Sequence, residues 1–167
     1  LSEDFRAQLG FIDVPGKRYY DTHAHYATYT ESIPFLRRIE TGLNNDLEYD
    51  YDHSHMTDWS GGVYFDLSFD NNISLSFGRE EFYTFYEDTG KDFNYGRNWV
   101  YAEFTTFDFL TGYVHAQKGK QSFHYFQTVD DYSRYSAGLT FRPGPYLDIS
   151  MNAAYQEIEN WYDVTTY

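Results

Sequence analysis

Apolar and polar residues alternate with a period of two on both sides of the segment Arg142-Pro143-Gly144-Pro145. Such alternation is typical of β-strands, because successive side chains of a strand point to opposite faces. Proline lacks an N–H and glycine adopts unusual φ values, so the segment predicts a tight turn between two antiparallel strands. The hairpin has one apolar face, formed before the turn by Tyr135, Ala137, Leu139 and Phe141 and after it by Leu147, Ile149, Met151, Ala153 and Tyr155.

The same hairpin pattern recurs along the chain. Residues 59–69 alternate in this way, stop at Asp70-Asn71-Asn72 and resume at Ile73, and a second short break is predicted at Thr105-Thr106-Phe107. Longer polar connections are predicted at 53–58, 87–93 and 127–131. The pattern predicts strands near 5–12, 18–30, 35–52, 59–69, 73–86, 94–104, 108–126, 132–142 and 146–158. We expect residues 1–167 to form one all-β domain, an antiparallel up-and-down barrel or a segment of a larger one.

The apolar phase of these strands faces either lipid, as in an outer-membrane barrel, or a packed core, as in a soluble sandwich or ligand-binding barrel. Several strands are long enough for the 9 to 11 residues that a tilted strand needs to cross a bilayer. Aromatic residues make up 22% of the chain, which suits two interfacial girdles. We therefore predict that lipid contacts Val63, Phe65, Leu67, Phe69, Leu139, Phe141, Leu147, Ile149 and Met151.

For two strands, the sequence does not decide which residues lie on the apolar face. In the strand near 73–86, Arg79 and Glu81 follow Phe77 in the apolar phase, so either the strand has left the bilayer or a bulge brings Phe82 and Tyr86 into that phase. In the strand near 94–104, alternation alone does not decide between Trp99 with Tyr101 and the pair Val100 and Ala102.

Charge and composition restrict the possible partners. Twelve basic against 26 acidic residues give a net charge of −14, which argues against nucleic acid as a partner. The chain has no cysteine, so a disulfide framework is excluded, and no run of about 18 apolar residues predicts a membrane-spanning helix. The first residues lack the pattern of a signal peptide, from which we expect a mature or internal segment.

Three segments resemble the carboxy-terminal barrel of a large bacterial family whose members carry an amino-terminal domain similar to family 9 carbohydrate-binding modules. These segments are residues 3–11, 91–116 and 132–155. The family's Asp-Phe-x-x-x-x-Gly-Phe motif is matched by Asp4, Phe5, Gly10 and Phe11, and its Gly-Leu-x-x-Arg-Pro-x-Pro hairpin by Gly138, Leu139, Arg142, Pro143 and Pro145. The chain departs from the family at Ile12-Asp13-Val14-Pro15, since members usually have a basic pair soon after the Gly-Phe. The resemblance implies an outer-membrane barrel and supplies no catalytic residue.

The candidate sites are acidic and histidine clusters. A ladder of carboxylates on one strand phase is predicted to line the lumen, either as a solvated wall or as a cation-preferring pore: Glu40, Asp46, Glu48, Asp50 and Asp52. His23 and His25 share a strand face, and His53 and His55 lie in an acidic loop, so a metal ion at either pair stays an open alternative, although no metal or cofactor is predicted. A lipid-deacylating Ser/His pair that uses His124 has no support from spacing.

We therefore expect a non-catalytic wall of a bacterial outer-membrane barrel, with a structural or transport role and with membrane lipid as its partner. The alternatives are a small eight-stranded lipid-modifying enzyme and a soluble ligand-binding barrel. Because single-chain bacterial barrels have even strand numbers, a ninth strand near 5–12 predicts that further strands or subunits close the barrel.

Overall fold

Nine strands run through the chain and no helix occurs in the part described by the computed structural model, which covers residues 3–14, 17–50, 55–123 and 127–159. The strands are β1 (Glu3–Val14), β2 (Lys17–Tyr29), β3 (Leu36–Asp50), β4 (Met56–Phe69), β5 (Ile73–Tyr86), β6 (Lys91–Phe107), β7 (Leu110–Phe123), β8 (Thr128–Gly144) and β9 (Leu147–Ile158). Within these ranges, no helix is long and apolar enough to span a membrane.

The nine strands form one sheet in sequence order, and each pairs antiparallel with the next. The predicted all-β, up-and-down meander is therefore confirmed. In the described residues β2 pairs with β1 and β3, and β9 pairs with β8, so the sheet is open at β1 and β9. Within the described part of the chain, β2 and β9 do not pair, so the closed eight-stranded ring that would favour the small-enzyme alternative is not formed there.

Most predicted strand boundaries lie within three residues of the observed ones, but the break predicted at Thr105-Thr106-Phe107 was wrong. β6 continues through Thr105 to Phe107, and the turn is at 108–109. The predicted β8–β9 hairpin is confirmed with its turn displaced to 145–146, because β8 continues to Gly144 through a register shift between Phe141 and Gly144, where Pro143 needs no ladder N–H. The longer polar connections end earlier than predicted, because β4, β6 and β8 begin at Met56, Lys91 and Thr128, whereas 87–90 is a turn. Polar residues at the starts of these strands reflect exposure and do not end the backbone ladder.

The residues at two turns have the backbone conformation that their side chains permit. Asn72 closes the β4–β5 turn with φ 52°, a left-handed value that asparagine tolerates better than most residues. Gly90 ends the β5–β6 turn with φ 63°, and its N–H donates to the carbonyl of Tyr86 at 2.8 Å. The predicted break at Asp70-Asn71-Asn72 is thus confirmed as a turn.

Register assigns each residue to one of two faces. The apolar face carries Phe65, Phe77, Val100, Ala116 and Tyr135, which lie in one row across β4 to β8. The opposite, polar face carries the row of Tyr64, Gly78, Trp99, Gln117 and Arg134.

This assignment settles both faces that the sequence left open. Val100 and Ala102 lie on the apolar face, opposite Trp99 and Tyr101. β4 and β5 pair without a register shift, so no bulge moves Phe82 or Tyr86, and Arg79 and Glu81 stay in the apolar phase.

Side chains on the polar face are the more deeply packed ones. Ala27, Tyr86 and Tyr132 are the buried apolar residues among those described, and all three lie on this face. Leu43, Val63, Val114 and Met151 on the apolar face are each 45–62% exposed. No second layer in the described residues covers the apolar face, so the sheet is stabilised by contacts between neighbouring strands.

Aromatic rings on the polar face lie over glycines of the adjacent strand. A Cβ on Gly42 would overlap the Tyr64 ring, and a Cβ on Gly138 would overlap the Tyr113 ring. Gly78 is the most restricted, because its added Cβ would meet both the Val63 carbonyl oxygen at 2.6 Å and the Trp99 ring at 2.8 Å. The missing side chain at these positions gives each ring a surface against which to pack.

We predict that Gly78→Ala lowers the free energy of unfolding by about 1–3 kcal/mol, because the new methyl group meets a backbone oxygen that has little freedom to move. Gly144→Ala is the matched control, since nothing lies within 4 Å of its added Cβ. Urea unfolding in detergent measures both variants. Equal stability of the two would contradict the packing described for Gly78.

Candidate functional site

The polar face presents a network of paired charges and hydroxyl groups, and it is the candidate functional site. It is built by the alternate residues of β2 to β8 that lie opposite the apolar face. The predicted acidic ladder lies here, since Glu40, Asp46, Glu48 and Asp50 are alternate residues of β3. Asp52 lies outside the described residues.

Glu48 is the centre of a cluster near the ends of β2 and β3. Its carboxylate accepts hydrogen bonds from Lys17 and from Thr57 Oγ1, the latter at 3.0 Å, and its side chain is 9% exposed. The hydrogen bonds from Lys17, Tyr19 and Thr57 offset the cost of burying this carboxylate.

Glu40 is neutralised in a similar way. Arg38 donates to Glu40 Oε2, and the Tyr64 hydroxyl donates to Oε1 at 3.2 Å. The same Tyr64 ring covers Gly42, so the glycine allows the ring to reach Glu40 along the sheet. Two members of the acidic ladder therefore have cationic partners, which favours a solvated, charge-balanced wall over a cation-preferring pore.

Asp21, His23 and Asp46 could together hold a metal ion, because one ligand atom from each lies within 4.8 Å of the others. Asp21 and Asp46 are directly opposite on β2 and β3. His23 Nε2 lies 2.7 Å from Asp21 Oδ1, and Ser60 Oγ donates to Asp46 Oδ2 at 3.0 Å. Sequence reasoning placed His23 with His25 on one face but did not bring in Asp21 or Asp46, because the register between strands cannot be read from a single strand.

Of the histidine pair predicted in the acidic loop, His53 lies outside the described residues. His55 closes the end of β3: its backbone N–H donates to Asp50 Oδ1 at 3.1 Å. The His55 ring stacks on Phe85, with centroids 5.9 Å apart. His124 also lies outside the described residues, so the Ser/His alternative stays untested.

Two further polar contacts on this face were missed by sequence reasoning. Arg97 Nε donates to Glu80 Oε2 at 2.6 Å across β5 and β6, and the Arg97 guanidinium lies 4.9 Å from the centroid of the Phe82 ring. Tyr101 donates to Glu103 Oε2 at 2.8 Å. Arg97, Tyr101 and Glu103 lie on the polar face of β6. The sequence alone did not decide which face of β6 is polar, and the pairing of β5 with β6 decides it.

The residues predicted to contact lipid lie together on the apolar face. Val63, Phe65, Leu139, Phe141, Leu147, Ile149 and Met151 are each 38–62% exposed, whereas Leu67 and Phe69 are partly buried. Rings from neighbouring strands contact one another on this face: Phe65 stacks on Phe77 at 5.5 Å and Tyr135 on Tyr155 at 6.4 Å.

Comparison with known protein families, with curated proteins and with solved structures finds no match to this chain. The resemblance to the barrel family therefore stays a prediction. Its motif residues lie in β1 and around the β8–β9 turn, where Arg142 pairs with Asp148 at 2.7 Å.

We predict that Glu48→Gln destabilises the protein at neutral pH by about 1–3 kcal/mol, because Lys17 and Thr57 lose a charged acceptor. Protonation removes the charge of Glu48 at low pH, so this stabilisation is fully present above the unfolded pKa of about 4.3 and is lost as the carboxylate becomes protonated. The difference from wild type should therefore shrink below about pH 4.

Unfolding midpoints in detergent between pH 3 and pH 7 measure this difference. Glu87→Gln, an exposed residue of the β5–β6 turn, is the control. A constant difference across the whole pH range would contradict the ionic role of Glu48.

Proposed function

We propose that this chain is a wall of a bacterial outer-membrane β-barrel, with its apolar face against lipid and its polar face along an aqueous interior. The observation that carries the proposal is the exposed apolar face, which no described layer covers and which aromatic residues border at both strand ends. A barrel wall needs this combination of an apolar band, two aromatic girdles and a polar inner surface.

The two borders are formed by different aromatic residues. At the end where β3 and β5 finish, the apolar face carries Tyr20, Tyr49, Trp59, Tyr83, Tyr135 and Tyr155. At the opposite end lie Phe35, Phe69, Phe107, Phe109, Phe141 and Tyr146, of which Phe35 is 72% and Tyr146 99% exposed. Large exposed rings at the ends of a sheet are costly in water and favourable in the interfacial region of a bilayer.

The borders of the apolar band cross the rows of paired residues at an angle, as the membrane plane does in a barrel with tilted strands. Tyr135 on β8 lies in the same row as Phe65 on β4, and Phe65 is six residues from Trp59. The border therefore moves six residues over the four steps from β4 to β8, or 1.5 residues per strand. A tilt near 40° with strands 4.8 Å apart requires about 1.2 residues per strand. The opposite border, from Phe69 to Phe141, moves in the same direction by two residues, because Leu139 lies in the row that continues from Ile73.

Closure of the barrel requires strands beyond these nine. Unpaired N–H and C=O groups at the edges of β1 and β9 would cost several kcal/mol each in hydrocarbon. Because eight antiparallel steps separate β1 from β9, the two strands run in the same direction, and joining them would make a parallel pair. An odd number of further strands, from another segment or another chain, permits antiparallel closure with an even total.

The charge pairs on the polar face support a structural or solute-conducting wall. Glu48 with Lys17, Glu40 with Arg38 and Glu80 with Arg97 hold their charges in fixed positions on a surface that water reaches. A soluble ligand-binding barrel would instead turn the apolar face inward and bury it against other side chains, which the exposure of Val63, Leu139 and Met151 disfavours.

We predict that Leu139→Arg prevents insertion of the protein into liposomes, since arginine on the lipid face costs about 2–4 kcal/mol near the bilayer centre. Thr140→Arg is the matched control, because Thr140 is the next residue of β8 and lies on the polar face opposite Ser150. Protease protection of the reconstituted protein measures insertion. Wild-type protein that stays in the aqueous phase would overturn the proposed function.

We also predict that the backbone amides of β9 exchange as slowly as those of the central strand β5 in the full-length, bilayer-inserted protein, because closing strands protect them. Hydrogen exchange followed by peptide mass analysis measures both strands. Exchange in β9 as fast as in the exposed turn at 87–90 would show that its edge stays unpaired and would contradict closure.

A further inference from the structure

A groove runs along the apolar face over β6 to β9, and we propose that it binds the acyl chain of a phospholipid with a net negative headgroup, which Lys118 holds. This inference rests on the proposed function, since it requires the apolar face to lie in a bilayer.

The groove consists of two adjoining apolar depressions. One, of about 540 Å³, is lined by residues of β6 to β9, among them Ala102, Val114, Ala116, Tyr135, Ala137 and Tyr155. The other, of about 420 Å³, shares Ala102 and Val114 and extends to Phe104 and Phe107. The depression forms because alanine stands at positions where the neighbouring strands carry larger side chains, such as Phe65 and Phe77 in the row of Ala116.

The direction of the groove suits a lipid chain. The second depression follows β6 and β7 from the aromatic border at Phe107 to Ala102 and Val114, and the first continues from there across β8 and β9 to Tyr135 and Tyr155, so the two together cross the apolar band. Lys118 and Val114 are four residues apart on β7, which corresponds to about 13 Å along a strand, close to the thickness of one hydrocarbon leaflet. An acyl chain whose headgroup lies at Lys118 therefore reaches Val114, where the two depressions join.

Charge complementarity favours an anionic lipid over an apolar protein partner. Lys118 lies on the apolar face two residues beyond Ala116, at the level where a headgroup would lie, and its side chain is exposed. Its neighbours in the row, Asn98 on β6 and Ser133 on β8, are uncharged. A lysine beside no acidic row neighbour is a suitable partner for a headgroup phosphate, whereas Lys120 lies opposite Asp131.

The test is native mass spectrometry of the full-length protein in detergent, titrated separately with phosphatidylglycerol and phosphatidylcholine. We expect wild type to bind the first phosphatidylglycerol about fivefold more tightly than phosphatidylcholine, the preference that one surface lysine supplies. Lys118→Gln should abolish this preference, and Lys91→Gln, an exposed lysine at the start of β6, should keep it.

Ala137→Trp should fill the groove and weaken binding of both lipids several-fold. Ala24→Trp, which places the same ring on the apolar face of β2 opposite Leu43, should leave binding unchanged. The proposal is overturned if the two tryptophan variants behave alike, if Lys118→Gln keeps the preference, or if wild type forms a dimer that Ala137→Trp disrupts.

Failure of this inference can be distinguished from failure of the proposed function. If wild type inserts into liposomes but binds the two lipids equally well, the proposed lipid groove is overturned and the proposed function stands. If wild type does not insert, both proposals are overturned.

Discussion

The whole structure depends on one constraint: a single layer of β-sheet has no second layer against which to bury a face. The described residues include only three buried apolar side chains, so stability comes from the backbone ladder and from pairs of side chains on neighbouring strands. The Phe65–Phe77 and Tyr135–Tyr155 stacks serve one face, and the Tyr64–Gly42 and Trp99–Gly78 contacts serve the other. A surface of this kind requires either a solvent that is itself apolar or a covering partner.

The same constraint explains why charged residues on the polar face are paired within the sheet. Glu48 is almost fully covered and would be costly as an isolated carboxylate, yet Lys17, Tyr19 and Thr57 stabilise its charge by donating to it. The donors come from β2 and β4 on either side of β3, so the cluster depends on the three strands keeping their register. Charge pairing and strand register thus stabilise each other at this end of the sheet.

The sequence predicted the strands well because alternation is a property of each strand by itself. It placed Leu139 and Phe141 on one face and Glu40 and Glu48 on the other before any pairing was known. It did not predict contacts that depend on which residue of the next strand lies opposite, such as Asp21 with Asp46 or Glu80 with Arg97. Strand ends were also misjudged where polar residues continued the ladder, since a backbone hydrogen bond forms equally well beneath a polar side chain.

Stagger between strands also accounts for Arg79 and Glu81, which interrupt the apolar phase of β5 without a bulge. Arg79 lies in the row of Val63 on β4 and Asn98 on β6, so one row contains apolar, charged and polar residues on the same face. If the border between apolar and polar surroundings followed the rows, Arg79 would be a buried defect. Because the border moves about 1.5 residues per strand from the row of Trp59 and Tyr83, it lies near Glu81 on β5, whereas Val63 on β4 is four residues inside its border at Trp59. Arg79 lies two residues inside the border and pairs with Glu81 at 2.6 Å, so its long side chain reaches toward the interface, where an exposed charge has little cost. The position of a border on one strand is therefore a property of the sheet, and no single strand contains the information that fixes it.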